Sequence, residues 1–129
     1  MLSVGPGTRI MMAVAPIDLR RGHDGLVTMV RQGGGDPYSG ELYCFFGRRM
    51  DRVKILFFSA GGFVVYYKRL ERSRFTLPPV PAGADRVVVD GATLAMLLDG
   101  VDLRSIRRAP RWNPPRNKTP RGIDSPLLS

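Results

Sequence analysis

Phe45-Phe46-Gly47-Arg48-Arg49-Met50-Asp51-Arg52-Val53-Lys54-Ile55-Leu56-Phe57-Phe58 runs on through Ser59-Ala60-Gly61-Gly62 into Phe63-Val64-Val65-Tyr66-Tyr67-Lys68-Arg69-Leu70. Three apolar, aromatic runs are joined here by two short loops. Runs rich in Val, Ile, Phe and Tyr read as strands, and they fall at Leu42–Phe46, Arg52–Ser59 and Phe63–Leu70. The loops near Gly47–Asp51 and Ser59–Gly62 are too short for parallel crossovers, so the strands form an antiparallel meander. Pairing the second and third about Ala60–Gly61 sets Arg52 opposite Arg69 and Lys54 opposite Tyr67. Like charges directly opposite one another are unfavourable. The arrangement makes sense where an anion lies across them, and a slip of one residue would remove it.

Working outward, Thr8 to Ala15 reads as a first strand that Pro16 ends, because proline cannot donate to a ladder. The segment from Ile17 to Leu26 is polar and glycine-bearing and enters a helix. Asp24 is placed to cap that helix, Leu26, Met29 and Val30 follow at helical spacing, and Gly33-Gly34-Gly35 stops it. Asp36-Pro37-Tyr38-Ser39-Gly40 is a turn. Beyond the meander, Arg72 to Leu77 extends the sheet as far as Pro78-Pro79, and Arg86-Val87-Val88-Val89 is a further short strand. Asp90 caps a second helix with Leu94, Leu97 and Leu98 on one face, and Gly100 sits where a left-handed C-terminal cap belongs.

From about Ser105 the composition changes. Arg107, Arg108, Arg111, Arg116, Lys118 and Arg121 face one acid, Asp124, an excess of five out of the chain's net +9. Prolines are frequent and large apolar residues few, so this part reads as extended or disordered. The expectation is an α+β fold: a mainly antiparallel meander with two short helices in one domain over residues 1–104, then a basic tail over 105–129.

A net charge of +9 and a pI near 10.8 favour polyanionic partners, with nucleic acid first and an acidic protein or anionic membrane second. Cys44 is the single cysteine; it excludes an internal disulfide and a multi-cysteine zinc site and reads as a small buried hydrophobe. The first residues lack a charged leader before an apolar core. No apolar run approaches the ~18 residues of a membrane span. The reading is a soluble intracellular protein.

Between Gly47 and Phe75 stand Arg48, Arg49, Arg52, Lys54, Lys68, Arg69, Arg72 and Arg74 against Asp51 and Glu71. Arg48, Arg49, Arg52, Lys54, Lys68 and Arg69 are candidate phosphate contacts, and Arg20 and Arg21 join them from the connection before the first helix. Tyr66, Tyr67 and Phe58 are candidate stacking surfaces for unpaired bases. The competing reading is a solvated sheet face whose cations keep an edge from aggregating. Asp18, His23 and Asp24 resemble a divalent-metal site for phosphodiester chemistry; the competing reading is a capped helix with Asp18 paired to Arg20 or Arg21. A phosphate-binding glycine loop, a Gly-x-Ser-x-Gly elbow and a Cys-with-His nucleophile are missing from the pattern. No catalytic residue, metal ligand or cofactor is therefore assigned. Arg107 to Arg121, with Trp112, reads either as an arm along a nucleic acid groove or as an extension with no role.

Asp18-Leu19-Arg20-Arg21-Gly22-His23-Asp24-Gly25-Leu26, Asp36-Pro37-Tyr38-Ser39-Gly40, Phe46-Gly47-Arg48-Arg49-Met50-Asp51-Arg52-Val53-Lys54-Ile55-Leu56 and Lys68-Arg69-Leu70-Glu71 occur in the order of a known family. Over roughly residues 5 to 104 the chain resembles the TnpB-type accessory protein of bacterial insertion-sequence family sixty-six, the small second reading frame. The resemblance implies a small cytoplasmic, nucleoid-associated bacterial protein encoded beside a larger transposase and needed for efficient transposition. It also implies DNA at the element ends and the transposase as partners, with strand cleavage left to the transposase. The family commonly has an aromatic where His23 stands and tryptophans and an acid at Phe57-Phe58-Ser59. The arginine-proline tail lies outside its pattern.

Overall fold

The computed structural model describes residue 2 and residues 4–104; the expected tail from 105 onward, Trp112 included, lies outside them. Seven elements follow in order: β1 (Ile10–Ala13), α1 (His23–Gln32), β2 (Leu42–Phe46), β3 (Arg52–Ser59), β4 (Gly62–Arg69), β5 (Arg86–Val89) and α2 (Gly91–Leu98). The five strands form one sheet in the order β4-β3-β2-β1-β5. Its fold class is α+β, with three of the four strand pairings antiparallel.

The meander folds as its sequence requires. Ala60 and Gly61 adopt positive φ of 49° and 81°, the two-residue turn whose twist matches that of a hairpin. That turn sets the register Arg52↔Arg69, Lys54↔Tyr67 and Ser59↔Gly62. The remaining pairing is parallel: β1 lies beside β2 with Ile10↔Leu42 and Met12↔Cys44, and α1 forms the crossover that a parallel pair needs. β5 closes the other side, antiparallel to β1.

Strand alternation sends side chains to two faces, and each face has its own core. On one, Met12, Cys44, Phe46, Val53 and Ile55 pack with Leu94 and Leu97 of α2. On the other, Tyr43, Phe45 and Leu56 pack with Leu26 and Val30 of α1. β2, covered on both sides, is buried along its whole length. Burial pushes the Cys44 thiol well up from its ordinary pKa, so it behaves as a small hydrophobe.

Local capping follows the sequence at α2 and departs from it at α1. Asp90 accepts a hydrogen bond from the Thr93 N–H at 2.8 Å, and Gly100 takes φ 80° just past the helix. At α1 the cap residue is Gly22, without a side-chain bond, and Asp24 stands inside the first turn. The helix therefore begins two residues earlier than an Asp24 cap requires, and Asp24 complements the helix dipole instead. A second departure concerns Arg72 to Leu77, which does not extend the sheet. It crosses the α2 face, where the Phe75 N–H donates to Met50 O at 2.6 Å and the buried Phe75 ring lies 5.9 Å from that of Phe46. An alternating sequence forms a strand only where it pairs with a neighbouring strand, and this segment bonds instead to Met50, Val101 and Leu103.

Candidate nucleic-acid interface

The residues that build the site come from two loops held side by side. After β1 the chain continues alongside the end of β2: Ile17 bridges Gly47 in parallel, and the Ile17 N–H donates to Phe46 O at 2.9 Å. The absence of a side chain at Gly47 allows this approach, since a Cβ there would stand 3.3 Å from Leu19 Cδ1. The segment from Ile17 to His23 thus faces the β2–β3 loop.

Between them, on the α1 face of the sheet, lies an open groove of about 840 Å³. Arg20, Arg48, Arg49, Arg52 and Lys54 line it together with Asp18, Asp51, His23 and Tyr67, five cations against two carboxylates. Alternation along β3 and β4 puts Arg52, Lys54 and Tyr67 on this face. The Lys54 ammonium donates to Arg21 O at 2.8 Å and lies 5.7 Å from the centre of the Tyr67 ring, a cation–π distance. Tyr67 remains 50% exposed.

The arginines differ in what neutralises them. Arg20 grips Asp18 through both carboxylate oxygens, at 2.6 Å from Nη2 and 3.0 Å from Nε. These bonds, with the Arg20 N–H and the nearby Arg48 charge, hold the Asp18 carboxyl far below the usual carboxylate range. Arg52 has Asp51 at 3.9 Å. Arg48 and Arg49 are exposed and have no ion-pair partner among the described residues.

Not every cation expected at the site reaches it. Lys68 and Tyr66 point to the opposite face of the sheet. The Lys68 ammonium donates to Leu98 O at 2.7 Å, at the carboxyl end of α2, and Tyr66 packs against the α2-side core. Arg69 is on the groove's face opposite Arg52 but outside the lining, paired with Glu71 at 3.2 Å. Arg21 also stands outside, its stem against Gly25 of α1. Phe58 joins Tyr38 and Phe63 at the far end of α1, with ring centroids 5.1 to 5.2 Å apart, and Arg31 lies 5.7 Å from the Tyr38 ring.

Asp18, His23 and Asp24 do not converge. Both Asp18 oxygens are engaged by Arg20, and His23 and Asp24 occupy successive helix positions about 100° apart. Among the described residues no group of three or more His, Cys, Asp or Glu is placed to hold a metal. No helix there is long and apolar enough to cross a membrane.

The model of the family described as IS66 Orf2 like protein matches residues 8–108. Two proteins of Sinorhizobium fredii (strain NBRC 101917 / NGR234) are similar along nearly their whole length. The uncharacterized protein y4jC is 35% identical over 114 residues, covering 86% of this chain and 96% of its own. The uncharacterized protein y4hO is 31% identical over 115 residues, covering 88% and 96%. No solved structure matches.

Proposed function

The chain belongs to the family of IS66 Orf2-like proteins, accessory proteins of an insertion sequence, and we propose that it is a non-catalytic DNA-binding helper in transposition. The observation that carries this reading is the groove. Five cations with only two carboxylates line one concavity, at whose rim Arg48 and Arg49 stand exposed and without an ion-pair partner among the described residues. Phosphate oxygens entering there meet guanidinium groups that can bind them bidentately. The amino end of α1, at Gly22 and His23, adds the positive end of a helix dipole. Such contacts hold the backbone without reading sequence, while the exposed Tyr67 ring offers a face to an unpaired base. Selectivity for the element ends then comes from the transposase.

The test is fluorescence anisotropy on labelled element-end duplex and on random duplex, with and without the transposase. Binding to both, weakening steeply with salt and tightened at the ends by the transposase, is expected. Absence of salt-dependent binding to either DNA would sink the proposal.

A second reading draws on the ring cluster at the far end of α1, where Tyr38 is 53% exposed. Aromatic anchors of this kind are enriched at protein interfaces, and the transposase is the partner it suits. Co-purification with the transposase in high salt after nuclease treatment, lost in Tyr38→Ala, separates this reading from DNA-mediated association.

A further inference from the structure

β4 ends the sheet, and among the described residues no strand lies on its outer side. The two-residue turn makes Ser59 and Gly62 a hydrogen-bonded pair. Gly62, Val64, Tyr66 and Lys68 therefore turn their backbone groups inward to β3. Phe63, Val65, Tyr67 and Arg69 turn their N–H and C=O groups outward, and among the described residues no backbone group meets them there. β4 is eight residues long, against four for β5 at the other edge. From Gly62 to Tyr67 it has neither charge nor proline, and Lys68 and Arg69 guard one end alone. Val64 is 40% exposed. Soluble proteins rarely leave so long and uncharged an edge open.

We propose that β4 pairs with β4 of a second copy, antiparallel about a two-fold axis through Tyr66, joining two five-stranded sheets into one. The charge pattern selects both the occupant and the register. With Tyr66 opposite its own counterpart, Arg69 faces Phe63, Lys68 faces Val64 and Tyr67 faces Val65. Every cation then lies opposite an apolar residue, so the strand is complementary to its own reverse. This register also engages all four outward-turned residues with one another, whereas a shift to a Val65 axis leaves Arg69 opposite the Gly61 turn. The axis is perpendicular to the sheet, so both grooves open on the same side. The two copies of β3 stand three strand spacings apart, ~14 Å.

Sedimentation of the full-length, nuclease-treated protein in high salt tests this. The expected result is a concentration-dependent dimer. Val64→Lys puts a lysine opposite Lys68 of the partner subunit at both symmetry-related contacts and weakens the dimer on the order of tenfold. Val64→Glu puts a carboxylate there and holds or tightens it. Val65→Pro removes an outward N–H that no bond among the described residues uses and gives a monomer with the wild-type circular dichroism spectrum. A wild type that stays monomeric at all concentrations overturns the proposal. So does a dimer that Val64→Lys and Val64→Glu leave equal, whatever becomes of Val65→Pro.

Discussion

Replacing Arg48 and Arg49 together with alanine separates phosphate binding in the groove from a merely basic surface. Both side chains are exposed in the β2–β3 loop, so the double variant should keep wild-type stability to within about 0.5 kcal/mol. Each phosphate neutralised contributes about −0.9 to the slope of log affinity against log salt. Engagement of Arg48, Arg49, Arg52 and Lys54 therefore accounts for a slope of about −3.6, and losing two contacts makes it shallower by about 1.8. Over a fourfold rise in salt, from about 50 to about 200 mM, that difference amounts to about tenfold in affinity. The comparison is internal, so cations outside the groove cancel. Anisotropy titrations on one duplex at several salt concentrations measure it. Arg9→Ala, a cation paired with Glu41 at 3.6 Å and outside the groove lining, is the control expected to leave the slope unchanged. Parallel lines for wild type and the double variant would refute the reasoning, because a phosphate contact cannot be lost without changing the counterions released.

Lys68→Met should leave that salt slope intact while lowering stability by about 1 kcal/mol, because its ammonium bonds the Leu98 carbonyl at 2.7 Å; urea unfolding reads the loss. Asp90→Ala should cost about 1 kcal/mol through the α2 cap that Thr93 N–H completes at 2.8 Å, again as a shift in the urea midpoint. Asp102 is held at about 2, below 3.8, chiefly by hydrogen bonds from the Arg104 side chain. Its folded value lies below its unfolded one, so its contribution to stability is complete above the unfolded value and disappears as pH falls through the folded one. Asp102→Asn should accordingly flatten the acid limb of a stability profile between about pH 4 and about pH 2.

The hairpin at the centre of the fold was legible because everything that sets it is local. A two-residue turn containing Gly61, flanked by two apolar, aromatic runs, sets the register, and Arg52 meets Arg69 as expected. The α2 cap and its closing glycine are likewise short-range signals. The parallel pairing of β1 with β2 was not legible, since nothing near either strand encodes a partner some thirty residues away. That pairing brings Ile17 beside Gly47 and so creates the groove; without it, Arg20 and Arg48 are distant points on a sequence. The division of β4 into two faces was available in principle. Tyr66 and Lys68 alternate with Tyr67 and Arg69, and adjacent strand residues cannot share a face. What the pattern left open was which face α2 would cover.

The like-charge pair Arg52–Arg69, taken alone, invites an anion between its members, but the structure supplies each with its own carboxylate. Asp51 stands 3.9 Å from Arg52 and Glu71 3.2 Å from Arg69. These pairs are largely exposed and individually worth ~1 kcal/mol or less, yet they suffice to offset a repulsion of similar size. Arg20 is held more firmly by Asp18. An incoming phosphate must compete with a carboxylate at each of these three positions. At Arg48, Arg49 and Lys54 it displaces no carboxylate of the described residues, and the Lys54 ammonium lines the groove while bonded to the Arg21 carbonyl. Under the proposed DNA-binding reading, polyanion affinity would therefore concentrate at the β2–β3 loop and the adjoining strand rather than spread along the ribbon.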